Sequence, residues 1–157
     1  MKRIIIFAVV SLLFCSCKSQ EIFLFENIPP EDQAKIKFGY GVNLTALNGK
    51  KIKIKNYATI VVPSGGYKLV LNLFEDKHEP GQADFDRYFY DSYTLDYFFE
   101  PEKSYQLSFF IEENYFLLIF KEDTWILNIK NLTDNTIESI IIQTTTDIVP
   151  PTLDFKL

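Results

Sequence analysis

Apolar and polar residues alternate with a period of two along most of this chain, and turn residues interrupt the pattern about every eight to twelve positions. Helical spacing is not sustained, because β-branched and aromatic residues crowd the segments between turns. The pattern therefore predicts an all-β chain, a single antiparallel β-sandwich of about seven to nine strands, with a small barrel as the alternative. The predicted strand segments are residues 35–38, 42–46, 52–54, 58–62, 67–73, 95–99, 105–111, 115–120, 125–129 and 137–142.

Two turn signals organise the first half of this pattern. Asn48-Gly49 lies between alternating segments, and both residue types tolerate the positive φ that a two-residue type I′ turn requires. We therefore expect a tight hairpin at Asn48-Gly49. The run Pro63-Ser64-Gly65-Gly66 separates an apolar segment from the next alternating one, which predicts a second hairpin.

The N-terminus has a different pattern. Lys2 and Arg3 precede an apolar stretch over residues 4–14, which then gives way to small and polar residues. This combination is typical of a signal peptide, and the stretch is shorter than the roughly 20 apolar residues that a membrane-spanning helix needs. We expect residues 1–16 to be a signal peptide, 17–21 a short tether and 22–157 the β-sandwich domain. The alternative is that the stretch forms a buried helix or strand of the domain.

Residues 12–17, Leu-Leu-Phe-Cys-Ser-Cys, resemble the lipobox of bacterial lipoproteins, in which a small residue precedes a cysteine that is acylated and becomes the new N-terminus. Cys17 fits better than Cys15, because Ser16 precedes Cys17 whereas the bulky Phe14 precedes Cys15. Phe14 and Cys15 depart from the Leu and the Ala or Ser usual at their positions. The resemblance implies that Cys17 carries the lipid, including palmitate.

Two or three acyl chains hold a protein stably on a bilayer. The resemblance therefore implies a lipid-anchored protein of a bacterial cell membrane or outer membrane, with its domain on the periplasmic or external side. Secretion without lipid is the alternative.

Charge and cysteine content restrict the partners and the source of stability. Cleavage before Cys17 removes Cys15, so no disulfide is expected and a hydrophobic core must hold the domain together. The formal net charge of −5 becomes −7 when Lys2 and Arg3 are removed. An acidic chain without a basic stripe is a poor candidate for binding nucleic acid or anionic lipid head groups, and no nucleic-acid partner is predicted.

Three further segments resemble envelope modules of the PEGA and transthyretin-like type. They are residues 47–50 (LNGK), 61–71 (VVPSGGYKLVL) and 100–107 (EPEKSYQL). The PEGA tetrapeptide and the usual Gly-x-Thr-Pro are missing. The resemblance covers about half of the mature chain and implies a sandwich fold, which hosts many unrelated functions.

The chain carries few residues suited to catalysis or metal binding. His78 is the only histidine, which excludes His-rich zinc sites, and neither a G-x-S-x-G segment nor a P-loop occurs. Gly39-Tyr40-Gly41 lacks the third glycine of a phosphate-binding loop. Asp84, Asp86 and Asp91 offer oxygen ligands for calcium, yet the remaining residues of an EF-hand loop are absent. We predict no enzyme activity, no catalytic residue, no cofactor and no metal.

Residues 76–93 form the longest segment between predicted strands, and they are rich in aromatic residues. We expect a long connection with a short helical turn near Asp84, since Phe85, Tyr88 and Phe89 share helical spacing. Long loops in compact domains are often functional. The candidate partner-binding residues are Phe85, Tyr88, Tyr90 and Tyr93.

These aromatic residues suggest a binding or structural role with a protein partner in the cell envelope. One alternative is that the rings fold over an open end of the sandwich. Another is a glycan-binding or glycan-processing protein that uses Asp84 or Asp86 together with Asp96 as acid and base.

Overall fold

Ten β-strands and one turn of 3-10 helix make up the part of the chain that the computed structural model describes, residues 21–77, 86–116 and 120–148. Cys17, His78, Asp84 and Phe85 lie outside these residues. The strands are β1 (Glu21–Phe23), β2 (Gln33–Phe38), β3 (Val42–Leu47), β4 (Lys50–Ile54), β5 (Thr59–Pro63), β6 (Gly65–Lys77), β7 (Asp86–Phe99), β8 (Ser104–Phe116), β9 (Phe120–Asn131) and β10 (Thr136–Ile148), with the helical turn at Pro30–Asp32. The predicted all-β class is confirmed.

The strands form two sheets that pack face to face. Sheet A has six strands in the order β1-β5-β2-β8-β9-β10, and sheet B has four in the order β4-β3-β6-β7. Sheet B is antiparallel throughout, whereas sheet A contains two parallel pairs, β1 with β5 and β2 with β8. The predicted β-sandwich is therefore confirmed, with ten described strands where about seven to nine were expected and with a mixed sheet A where antiparallel pairing was expected.

The predicted alternation produces the core. Along β2 every second residue is fully buried, and so are Leu69, Leu71 and Leu73 of β6 and Leu107 and Phe109 of β8. Each fully buried Leu, Ile or Phe side chain stabilises the fold by about 1.5–3 kcal/mol relative to exposure. The fully buried core residues include Ile36, Phe38, Leu44, Ile60, Leu69, Leu71, Leu73, Phe99, Leu107, Phe109 and Leu127.

The turn at Asn48-Gly49 is the predicted tight hairpin. Leu47 pairs with Lys50, and both turn residues have positive φ, 47° for Asn48 and 78° for Gly49. Positive φ at both central residues is the property of a type I′ turn. The prediction is confirmed.

The second predicted hairpin, around residues 63–66, is wrong. β5 pairs with β1 and β2 in sheet A, whereas β6 pairs with β3 and β7 in sheet B. The segment is a corner that carries the chain from one sheet to the other. Ser64 is held there by its backbone N–H, which donates to the carbonyl oxygen of Asp32 at 2.6 Å.

The predicted strand over residues 115–120 is also wrong. Phe116 pairs with Phe120 at the end of a long hairpin formed by β8 and β9, so these two residues belong to different strands. The apolar run resembles a buried strand by composition alone, which explains the error. Within the described residues, no helix has the length and apolar character that crossing a bilayer requires.

Candidate binding surface on the β6–β7 hairpin

The segment predicted as a long connection is mostly strand. β6 extends to Lys77 and β7 begins at Asp86, and the two pair as a hairpin in which Phe74 lies opposite Phe89 and Asp76 lies opposite Arg87. Tyr88 and Phe89 belong to β7, so the helical turn predicted for them is wrong. The hairpin extends past Val42, the first residue of the neighbouring strand β3, which pairs with Leu73.

A β-bulge shifts the phase of β7 between Phe89 and Ser92. The pairing shifts between Asn72 and Phe74, so that β7 carries one extra residue opposite Leu73. Beyond such an insertion, the strand positions that point towards the core and those that point outwards are exchanged. Tyr93 and Tyr90, three positions apart, consequently both pack against the core.

Tyr90 is held on the inner face by three contacts. Its ring centroid lies 4.7 Å from that of Trp125 and 5.8 Å from that of Phe109, and its hydroxyl donates to Glu75 Oε2 at 3.0 Å. Burial, followed by the hydrogen bond to Glu75, raises the pKa of Tyr90 well above the usual tyrosine value. Tyr90 therefore joins β7 to strands β8 and β9 of the opposite sheet.

The outer face of the same hairpin contains a second, smaller cluster around Phe74. This ring is fully buried although it points away from the core, because Tyr40, Phe89 and Arg87 cover it. The Arg87 guanidinium lies 4.2 Å from the Phe74 ring centroid, a distance suited to a cation–π contact. Phe89 packs against Phe74, yet 64% of the surface of Phe89 remains exposed.

Tyr40 and Gly41, weighed above as a phosphate motif, connect the two sheets. The backbone N–H of Phe74 donates to the carbonyl of Gly41, and that of Phe109 donates to the carbonyl of Tyr40, both at 2.9 Å. Gly41 has a φ of 76°, and a Cβ atom there would collide with the carbonyl oxygens of Phe109 and Phe74. The glycine is required by this close approach.

An open groove of about 370 Å³ runs over the outer face of sheet B beside Phe89. We call it the sheet-B groove. Its polar floor includes Asn43, Thr45 and Asn72, and its charged residues are Lys53, Lys55 and Arg87. Because four hydrogen-bonded strands position these residues, the groove is preorganised.

The charge of the sheet-B groove is opposite to that of the chain. Lys53 and Lys55 are exposed, and neither forms an ion pair with another described residue. Arg87 is already paired with Asp76. The two lysines are therefore the free cations of the groove within the described part of the chain, and they favour an anionic ligand.

The predicted site residues that the structure describes, Tyr88, Tyr90 and Tyr93, lie on the face of β7 that points away from the sheet-B groove. Tyr88 is exposed over 43% of its surface and lies opposite Glu75, whereas Tyr90 and Tyr93 are partly buried against the core. Phe89, Lys53 and Lys55 were not singled out from the sequence. Lys53 belongs to β4, Lys55 directly follows that strand and Phe89 belongs to β7, and no local sequence pattern relates β4 to β7.

The alternative carboxylate pair Asp86 and Asp96 is corrected by the strand geometry. Both lie on β7, ten residues apart, which places them about 30 Å from one another, whereas acid and base residues of glycosidases stand about 5–10 Å apart. Asp96 lies instead 3.9 Å from Lys68 Nζ on the neighbouring strand. Asp84 lies outside the described residues. No group of three or more His, Cys, Asp or Glu side chains suited to a metal ion occurs in the described part.

No protein-family model, no curated protein and no solved structure matches this chain. The resemblances to a lipobox and to PEGA modules therefore stay predictions.

Proposed function

We propose that this chain is a lipid-anchored protein of a bacterial cell envelope that binds a protein partner through the sheet-B groove and the neighbouring ring of Phe89. The observation that carries this proposal is a 64% exposed Phe89 beside a preorganised groove with two lysines that form no ion pair with a described residue. Protein interfaces concentrate their binding energy in aromatic and arginine side chains near a pocket. The role is binding and not catalysis.

The charges of the groove favour a partner with an acidic segment. Lys53 is the penultimate residue of strand β4 and Lys55 directly follows the strand, in a chain whose formal net charge is −5. Complementary charge speeds association and excludes other partners of like charge. An extended segment with carboxylates for the two lysines and an apolar side chain for Phe89 fits the groove.

A photo-crosslinking residue at position 89 tests the partner claim in cells. Phe98 offers a matched control, because it is 63% exposed on the other end of the same strand. We expect a protein adduct at position 89 that is lost when Lys53 and Lys55 are both changed to Glu. Lys50→Glu with Lys51→Glu, on the same strand, should leave the adduct in place. Equal adducts at positions 89 and 98, or none, would contradict the proposal.

A glycan ligand is the second candidate, since Phe89 stands beside Asn43, Thr45 and Asn72, and a ring beside amide and hydroxyl groups suits a sugar. The lysines favour acidic sugars. Acidic envelope oligosaccharides that perturb the NMR signals of Phe89 and abolish the protein adduct would support this candidate. Asp96→Asn should change neither result.

The lipid anchor is tested separately. Cys17→Ser should abolish incorporation of labelled palmitate and move the protein from the membrane fraction to the soluble fraction, because no acyl chain remains. Cys15→Ser is the control, since Cys15 would be removed with the signal peptide. A wild-type protein that never incorporates palmitate would contradict the anchor.

A further inference from the structure

The chain enters the sandwich at a defined end. β1 begins at Glu21, and Cys17 lies four residues earlier, so a fully extended link between their Cα atoms spans at most about 14 Å. β1 runs parallel to β5, and Glu21 pairs with Thr59, the first residue of β5. A lipid on Cys17 would therefore keep one end of the sandwich, the end at which β5 begins, close to the bilayer.

Tyr57 occupies that end. It lies two residues before Thr59, which places its Cα atom within about 12 Å of that of Glu21. Its side chain is 58% exposed, and its φ of 66° is in the left-handed region that tyrosine seldom adopts. Backbone strain of this kind persists only where the surroundings impose it, and it concentrates at functional sites.

The surroundings of Tyr57 impose its conformation. Its backbone N–H donates to the carbonyl of Phe38, and the preceding N–H of Asn56 donates to Asn43 Oδ1 at 2.8 Å. The turn is fixed to both β2 and β3, one strand of each sheet. The exposed ring therefore projects from a rigid position.

Positive charge accompanies this ring. Lys55, two residues before Tyr57, is exposed and forms no ion pair with the described residues, and the carboxylate of Glu21 is neutralised by Lys35 at 2.7 Å. Tyrosine rings concentrate at the membrane interface, and a lysine near an anionic surface contributes about 1 kcal/mol. The net negative charge of the chain opposes its adsorption to an anionic membrane. An acyl anchor would supply the attachment itself, so the contact of Tyr57 and Lys55 with the bilayer would only have to orient the domain.

We propose that the end of the sandwich formed by Tyr57 and Lys55 rests on the surface of the lipid bilayer and fixes the orientation of the anchored domain. This inference rests on the proposed lipid anchor at Cys17. The sheet-B groove, which Lys55 also lines, then opens close to the bilayer.

Depth-dependent fluorescence quenching on the full lipidated protein tests this orientation. Cys17 would be acylated and Cys15 removed, so an introduced cysteine is the only thiol for a bimane label. Labels at Tyr57→Cys and Lys55→Cys are compared with labels at Phe25→Cys and Lys51→Cys. The control pair also consists of a ring and a lysine, but it lies beside the Asn48-Gly49 turn at the other end of β4.

The protein is reconstituted in vesicles of phosphatidylethanolamine with a minority of phosphatidylglycerol, with a doxyl quencher near the head group. Interfacial side chains sit roughly 5–10 Å into the head-group boundary, so we expect labels at positions 55 and 57 to lose about half of their emission. Labels at 25 and 51 should lose little. Lys55→Cys lies directly after β4 at a residue without a positive φ, so it reports the orientation even if Tyr57→Cys perturbs its turn.

The outcomes separate the orientation from the anchor. If the protein floats with vesicles and incorporates palmitate, but the labels at 55 and 57 are not quenched, the orientation is wrong and the anchor stands. Stronger quenching at 25 and 51 would show that the opposite end faces the membrane, and would equally overturn the inference. If palmitate is never incorporated, the anchor fails and the orientation fails with it.

Discussion

Arg87 and Asp76 face each other across the β6–β7 hairpin and form a two-point ion pair. Arg87 Nε donates to Asp76 Oδ1 at 2.6 Å, and Nη2 donates to Oδ2 at 2.9 Å. The same guanidinium covers the buried ring of Phe74. Arg87 thus joins the two strands and covers Phe74, an apolar residue that points away from the main core. These contacts hold Arg87 and Phe89 in place beside the sheet-B groove.

Arg87→Lys should loosen this end of the hairpin. An ammonium group cannot reproduce two parallel hydrogen bonds or stack as a plane on Phe74. We expect faster amide hydrogen exchange at Asp76, with a change in global stability of about 1 kcal/mol or less because the pair is partly exposed. Lys68→Met removes the longer Lys68–Asp96 pair from the other end and is the control. Unchanged exchange at Asp76 would show that the pair does not hold the hairpin.

Asp76 should contribute to the acid sensitivity of the fold. Its hydrogen bond from Arg87 lowers its pKa below the ordinary value of 3.8. The contribution to the free energy of unfolding is therefore complete above about pH 3.8 and is lost as the pH falls towards the lower pKa of the folded state. Urea titrations should show a difference between wild type and Asp76→Asn that is constant at neutral pH and shrinks only in that acidic range. A difference already shrinking near neutral pH would contradict this assignment.

Gly49→Val should lower the melting temperature. A β-branched residue at a φ of 78° costs about 1–2 kcal/mol, although nothing within 4 Å would collide with its Cβ atom. Gly66→Val is the matched control, since that glycine also has open space and no positive φ, and its effect should stay within about 0.5 kcal/mol. Equal melting of the two variants would mean that backbone strain at Gly49 is not the cause.

Alanine substitutions at Tyr90 and at Tyr88 should lower the free energy of unfolding by clearly different amounts. Tyr90→Ala removes the contacts with Trp125 and Phe109 and should cost about 2–4 kcal/mol, within the lower part of the range for buried aromatic residues. Tyr88→Ala should cost about 1 kcal/mol or less, because the side chain is 43% exposed. Denaturant unfolding of the single variants measures both values. Equal costs would show that Tyr88 belongs to the core as much as Tyr90 does.

The part of the fold that depends on local pattern could be predicted from the sequence. Alternation along β2, β6 and β8 indicates which side chains are buried, because strand residues point to opposite faces in turn. The turn at Asn48-Gly49 depends only on the backbone freedom of those two residues. Tyr97 and Phe99 pack inwards and Phe98 outwards, as the same alternation predicts.

Features that depend on which strands become neighbours could not be predicted. The corner at Ser64 has the composition of a hairpin turn, and only the assignment of β5 and β6 to different sheets distinguishes the two. The bulge opposite Leu73, which lets Tyr90 and Tyr93 both pack against the core, depends on how β7 pairs with β6. The sheet-B groove combines residues of β3, β4, β6 and β7, and its site follows from their order in the sheet.

The parallel pairing of β2 with β8 has a consequence for the order of folding. Lys35 pairs with Ser104, so the middle of sheet A cannot close until more than half of the chain is present. Contacts between residues so distant in sequence carry a high loop-closure cost and slow the folding reaction. A chain that leaves a translocation channel N-terminus first would expose β2 without its β8 neighbour during passage. If the proposed signal peptide directs export, late closure of this kind would keep the polypeptide unfolded until its C-terminal strands have left the channel.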